Sequence, residues 1–174
     1  LKENIIDYFK DGAKWGIKIK YLEENKALGT AGSLSLLPSN LIDDILVLNG
    51  DVLTKFNLKK LLEFHLHHKA IATLTVREYI VDVPFGVIET DSIDVVKMVE
   101  KPSYKRNVNA GVYALNPSII KLIKKDENID MPELIQRLIN IKSKVIACPI
   151  HEYWLDIGRP ETLEEAYSSW GNSI

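Results

Sequence analysis

The stretch from Ile45 to Glu78 limits the fold more than any other part of the chain. It opens with ILVLN (45–49), an apolar run with no polar side, which predicts a buried strand of a parallel sheet. NLKKLLEFHLHHK follows, where Leu58, Leu61, Leu62 and His65 form one helical stripe behind an Asn57 N-cap. IATLTVRE (71–78) reads as the next strand. Strand, helix, strand in that order predicts a right-handed crossover in an α/β sheet.

The flanking sequence extends that pattern. In LKENIIDYFKDG at the start, Leu1, Ile5, Tyr8 and Phe9 share a helical face and Gly12 stands where a C-cap belongs. IKIKYL (17–22) alternates like a half-buried strand, and GTAGSLSLLPSN (29–40) is a Gly-rich turn entering a short helix that stops near Pro38. Further on, FGVIET and DVVKMVEKP look like paired strands around Asp91-Ser92, and NAGVYALN is another strand. Asn116-Pro117 caps and starts a helix over PSIIKLIKK, and a short helix begins near Asp130 and Pro132. KVIACPI and YWLDIG are closing strands, and PETLEEAYSSW is a final helix. The expectation is a single three-layer α/β domain with a mostly parallel central sheet, which suits 174 residues.

Composition removes several classes of function. A formal net charge of −2 offers nothing to nucleic acid or an anionic membrane. The lone Cys148 excludes an internal disulfide and fits a reducing cytoplasm, and there is neither a long apolar run nor a signal peptide. His65 and His68 could face one side of a helix, but no neighbouring Cys or carboxylate spacing suggests zinc. Trp15, Trp154 and Trp170 read as core or edge packing.

The candidates for chemistry lie at strand ends, where open α/β sheets bind ligands. Asp51 follows the 45–49 strand through Asn49-Gly50, and Asp156 ends YWLDIG. Two carboxylates from two strand ends suit a hard cation such as Mg²⁺, which takes one or two protein oxygens and completes its shell with phosphate and water. The plain alternative is that each is simply a turn or cap residue, as most Gly-adjacent aspartates are. In LGTAGSL (28–34), Gly29 and Gly32 would let backbone amides approach a ligand, and Thr30 and Ser33 bring hydroxyls, but the spacing is neither a Walker loop nor G-x-G-x-x-G. A helix-entry turn explains that segment as well. In EKP (100–102) and NAG (109–111), Glu and Asn suit sugar hydroxyls and Lys101 a phosphate, while a solvated surface or strand cap is the plain alternative.

Together and in order, YLEENKALGTAGSL, LVLNGDVL, PFGVIE, VEKP, NAGVYALNP and YWLDIGRPETLEEA resemble the sugar-1-phosphate nucleotidyltransferases, over about residues 1–168. NAGVYALNP, DMPELIQRLI and PIHEYWLDIGRP are most similar to the guanylyltransferase branch that activates mannose- or glucosamine-1-phosphate for surface polysaccharides. The resemblance implies a Rossmann-like α/β/α nucleotide-diphospho-sugar transferase fold. It assigns Glu23, the turn Gly29, Thr30, Ala31 and Gly32, and Asn49-Gly50 to the nucleotide. Gly86, Glu100, Lys101, Asn109 and Gly111 fall to the sugar phosphate, and Asp51 and Asp156 to Mg²⁺. Asp51, Lys101 and Asp156 would be catalytic. The nucleoside triphosphate and sugar 1-phosphate are the implied partners, and oligomeric state is left open.

The family also has a first strand and a G-x-G-T-R-L phosphate loop that nothing here matches, so the expectation is a chain lacking its first βαβ portion and, alone, inactive. Thymidylyl or uridylyl transfer, and a non-catalytic nucleotide-sugar-binding module, are the alternatives. A glycosyltransferase would be expected to show D-x-D, where NGDVL has one Asp.

Overall fold

The computed structural model describes residues 2–170, and their contacts group into two compact units. The first joins the N-terminal residues through Leu41 to Ile120–Gln136; the second comprises Ile42–Ile119 and the chain from Arg137 onward.

The first unit begins with helix α1 (Lys2–Phe9), the amphipathic segment expected there. The first left-handed residue after it is Lys10 (φ 48), with Gly12 (φ 84) two positions on, so the reversal begins before the glycine. Leu1 lies outside the described residues. Tyr8 and Phe9 pack edge-on to each other and tilt against Trp15, with ring centroids 4.9–5.5 Å apart. The expected strand at 17–22 is not formed. Ile19 N–H donates to Asp11 O (2.8 Å), Ile17 and Leu22 are exposed, and no described strand offers that segment a ladder. Alternation records a two-faced ribbon, but a strand also requires a partner for its backbone groups.

Helix α2 is one turn (Gly29–Gly32), continued by a 3-10 turn to Leu36, after which Leu37 is extended ahead of Pro38. Residues 28–32 are bonded to the segment before α4. Ile129 N–H donates to Leu28 O (2.9 Å), and Ala31 and Gly32 N–H both donate to Ile129 O (3.0 and 3.2 Å).

The second unit is built on β1 (Ile45–Leu48), β3 (Ala72–Asp82), β6 (Ser103–Leu115) and β7 (Val145–Pro149), in the order β1-β6-β3-β7. β1, β3 and β7 run one way and β6 runs against them, so only β3 and β7 are adjacent parallel strands. β1 is consequently an edge strand paired antiparallel to β6, only partly buried, with Leu48 exposed, and not the strand covered on both faces that its apolar run suggests. β2 (Val52–Thr54) and β8 (Trp154–Asp156) form a separate antiparallel pair, and β4 (Val87–Asp91) and β5 (Asp94–Val99) form a ribbon turning at Ser92 (φ 54).

Helix α3 (Leu58–His68) is the expected one. Asn57 Oδ1 accepts from Lys59 and Lys60 N–H, and Leu61 and His65 are its buried residues. Leu61 joins Val112, Ala114 and Cys148 in a core against which Leu46, Val52, Phe56, Leu58 and Phe64 pack.

PSIIKLIKK forms only a 3-10 segment, Pro117–Leu122, although Asn116 caps it through Ser118 N–H (3.0 Å). α4 (Met131–Asn140) and α5 (Pro160–Trp170) complete the chain as anticipated. Among the described residues no helix is long and apolar enough to cross a membrane.

Candidate active site

The β2–β8 pair explains how two distant aspartates meet. Val52 lies opposite Asp156 in the ladder, and Ile157 N–H donates to Asp51 O (2.8 Å), so the two strand ends are stitched side by side. Their carboxylates flank one point: a Cβ on Gly158 would lie 3.0 Å from Asp156 Oδ1 and 3.2 Å from Asp51 Oδ2. Gly158 N–H donates to Asp156 Oδ1 (2.9 Å) and orients it. Both aspartates are exposed, and among the described residues neither has an ion-pair partner. No third Asp, Glu, His or Cys completes a metal-binding group of described residues there. Two convergent, uncompensated carboxylates with open positions between them fit a hard cation that draws its remaining oxygens from phosphate and water.

A second set of expected residues adjoins this one through β6. Opposite the two residue steps from Leu74 to Val76, β6 takes four, from Tyr113 back to Asn109, a bulge that contains Gly111 in the left-handed region (φ 71). A side chain at Gly111 would meet Asn49 Nδ2 at 2.9 Å and Val52 Cγ2 at 3.0 Å, so the glycine permits the close approach of the Asn49-Gly50-Asp51 corner. Asn49 N–H donates to Gly111 O (2.9 Å). Asn109 is held at both ends of its amide: Gly111 N–H donates to Oδ1 (3.2 Å) and Nδ2 donates to the Tyr113 hydroxyl (2.5 Å). Tyr113 is buried, and that burial raises its pKa against the opposing effect of Asn109, keeping the phenol neutral.

Asn109 and Asp156 line one cavity of about 410 Å³ in this unit. Tyr79, Val108, Trp154 and Leu155 form its apolar wall, and Arg159 and Thr162 add polar groups. Trp154 is thus a cavity wall as well as a packing residue, and its ring is fixed by Nε1–H donating to Ala110 O (2.8 Å). Tyr79, Arg159 and Thr162 escaped sequence reasoning. Arg159 had a signal in the Asp-x-Gly-Arg run, whereas exposed Tyr79 had none.

Gly86 and Glu100 are also neighbours, a Gly86 Cβ falling 3.1 Å from Glu100 Oε2, and Lys101 (φ 45) follows at the end of β5. These three do not line the cavity.

The remaining expected residues belong to the first unit. Cβ atoms on Gly29 and Gly32 would collide with Ile129 O (2.6 Å) and Glu127 O (2.5 Å), so their bareness serves the chain's own backbone. The Thr30 hydroxyl donates to Asp130 Oδ1 (3.2 Å) and accepts Met131 N–H (2.8 Å), and Ala31 is buried. Glu23 lines a separate cavity of about 310 Å³ and pairs with Lys2 (2.8 Å), which lowers its pKa.

His65 and His68 are occupied differently from each other: His65 Nδ1 is bonded to the Thr73 hydroxyl (2.8 Å), and the His68 ring packs on Phe64 (4.4 Å).

The nucleotidyl transferase family signature matches residues 2–172. Mannose-1-phosphate guanylyltransferase 1 of Arabidopsis thaliana is 36% identical over 169 residues, covering 91% of this chain and 46% of the relative. The mannose-1-phosphate guanyltransferase of Pichia angusta is 36% identical over 159 residues, covering 85% and 43%. The crystal structure of HddC from Yersinia pseudotuberculosis superposes with a TM-score of 0.70 at 25% identity, covering 97% of this chain and 74% of that one. The chain spans about half the length of the curated relatives it matches. The mixed α/β sheet and the matched signature lead to one statement: this chain belongs to the nucleotidyl transferase family.

Proposed function

We propose that the chain carries the sugar-phosphate and cation-binding part of a sugar-1-phosphate nucleotidyltransferase, with GTP and mannose 1-phosphate as the favoured pair and glucosamine 1-phosphate as the alternative acceptor. The observation that carries this is the convergence of Asp51 and Asp156 at Gly158, on the rim of a cavity that also holds Asn109. The guanine preference is supported by the names of the relatives, and by HddC having been solved complexed with GMP-PN.

In the reaction, an ionised oxygen of the sugar 1-phosphate forms a bond to the α-phosphorus of the triphosphate. The bond from that phosphorus to the β-phosphate oxygen breaks, and its electron pair leaves with pyrophosphate. No proton moves, so no general base is called for. Asp51 and Asp156 would hold Mg²⁺, which neutralises charge between the two reacting phosphates when bound. Asn109, its amide fixed by Gly111 and Tyr113, hydrogen-bonds and orients the sugar, and Trp154 and Tyr79 exclude water from one side of it. Positioning and charge neutralisation then account for the acceleration. We place the reaction in the cytoplasm, where the lone Cys148, buried and with its pKa raised by that burial, stays reduced.

Calorimetric titration of the chain with GDP-mannose, with and without Mg²⁺, tests the reading. Binding that Mg²⁺ strengthens is expected, with UDP-glucose and dTDP-glucose weaker. Failure to bind any of these nucleotide sugars, or mannose 1-phosphate, would remove the proposal.

A further inference from the structure

We infer that Arg159 is the phosphate-gripping side chain of the Asn109–Asp156 cavity, an inference that rests on the sugar-phosphate reading of that cavity. The chain has four arginines: Arg77, Arg106, Arg137 and Arg159. Arg77 Nη1 donates to Glu152 O (2.8 Å), and Arg106 donates to Lys105 O and lies over the Tyr104 ring. Arg137 has an interaction of its own. Among the described residues, the guanidinium of Arg159 has no hydrogen bond or ion pair, although it lines the same cavity as the Asp156 carboxylate.

Its backbone, by contrast, is held firmly. Arg159 O accepts Thr162 Oγ1–H (3.0 Å) and Leu163 N–H (3.0 Å), tying it to the first turn of α5. Upstream, Gly158 N–H is bonded to Asp156 and Ile157 N–H to Asp51. The segment 156–159 therefore fixes the Arg159 backbone relative to both carboxylates while leaving its five N–H donors uncommitted.

Charge says what those donors are for. A phosphate dianion brought beside Asp51 and Asp156 is repelled unless cations intervene, and Lys101 does not line this cavity. A guanidinium offers a planar fork that matches two phosphate oxygens, and such charge-assisted pairs are about twice as strong as neutral hydrogen bonds. The rest of the cavity suits a sugar: Tyr79 and Trp154 supply aromatic rings, Asn109 an oriented amide, and the volume falls within the range of small-ligand sites. The sugar ring packs on Tyr79 and Trp154 while Arg159 takes its phosphate. Arg159 grips this phosphate before the cation arrives, which makes binding of the sugar phosphate independent of Mg²⁺ in its first stage.

The test is calorimetry of the whole chain with α-mannose 1-phosphate, free mannose and inorganic phosphate, in EDTA and then in Mg²⁺, for wild type, Arg159→Gln and Arg159→Lys. In EDTA, Arg159→Gln should weaken mannose 1-phosphate by ~10-fold or more, and Arg159→Lys, a point charge without the fork, should recover part of that loss. Affinity for free mannose and the melting temperature should be unchanged, which a merely structural role of Arg159 would not give. Equal affinity of wild type and Arg159→Gln for mannose 1-phosphate in EDTA overturns this inference and leaves the sugar-phosphate reading standing. A wild-type chain that binds mannose 1-phosphate under neither condition overturns both.

Discussion

His65 shows how much a single residue can couple to the whole second unit. Its Nδ1 meets the Thr73 hydroxyl, while its buried Nε2 has no hydrogen-bond partner and lies 3.8 Å from Asp44 Oδ1, an oxygen that also accepts Asn116 Nδ2–H. Burial lowers the His65 pKa, and Asp44 opposes that shift less strongly. The unfolded chain therefore takes up a proton, near pH ~6.5, that the native state still refuses. The associated stability is complete above that pH and is lost as pH falls through the lower native value. The melting temperature of the wild type should drop more steeply between pH 7.5 and 5 than that of His65→Leu; parallel curves would show that His65 carries none of the dependence. Asp51 and Asp156 give a second expectation at this scale. Asp51→Asn and Asp156→Asn should each abolish the Mg²⁺-dependent part of GDP-mannose affinity, and the double variant should be no worse, because groups holding one ion are not additive. Additive losses would separate the two carboxylates. Both aspartates are legible as candidates in the sequence because an Asp at the end of an apolar run with a glycine close by is a local pattern. Tyr79 is not legible there, and Arg159 only through its place in the Asp-x-Gly-Arg run, because the cavity that gives them meaning forms only when β3, β6, β8 and α5 meet.

Among the elements, α3 was the most legible. Stripe, cap and length are all local, and the structure reproduces them. Asn57→Ala should cost about 1 kcal/mol, read as a melting temperature lower by roughly 2–4 °C for a chain of this size; no change would mean that the cap is redundant. The bulge in β6 belongs to a different category. In NAGVYALN the family resemblance assigns Gly111 to the sugar, but only the folded chain shows that it is left-handed and pressed against Asn49. Gly111→Ala should destabilise by at least ~1–2 kcal/mol from backbone strain alone. It should also weaken sugar-phosphate binding, since Asn109 and Asn49 are both placed by that turn. Chemical denaturation and calorimetry on one sample would separate the two effects, and wild-type values in both would dismiss the bulge as a device. The failed strand at 17–22 and the edge position of β1 share a cause: periodicity reports which faces are apolar and says nothing of which strand lies alongside.

At the scale of the molecule, stability should be uneven. β6 residues 110–115 are buried and 113–115 are paired on both sides, whereas in the β4–β5 ribbon Ile88, Val95, Val96 and Met98 are all more than half exposed. A two-stranded ribbon of that kind is marginal by itself. Amide exchange over 87–99 should be fast and insensitive to mild stabilisation, while 113–115 exchange only with global unfolding; equal protection would mean that the ribbon is covered in solution.

The sequence alone determined the α/β class, the Asn57 cap and stripe of α3, the order of the motifs and the two strand-end positions of Asp51 and Asp156, because each depends on residues within a few positions of one another. Three things were decided by tertiary structure: the antiparallel intrusion of β6 between β1 and β3, the meeting of Asp51 with Asp156, and the use of Gly29 and Gly32 for backbone packing against Glu127 and Ile129. Each depends on the approach of segments about a hundred residues apart in the case of the aspartates and the glycines. Hydrogen-bond pairing and steric fit between such segments leave no periodic trace along the chain.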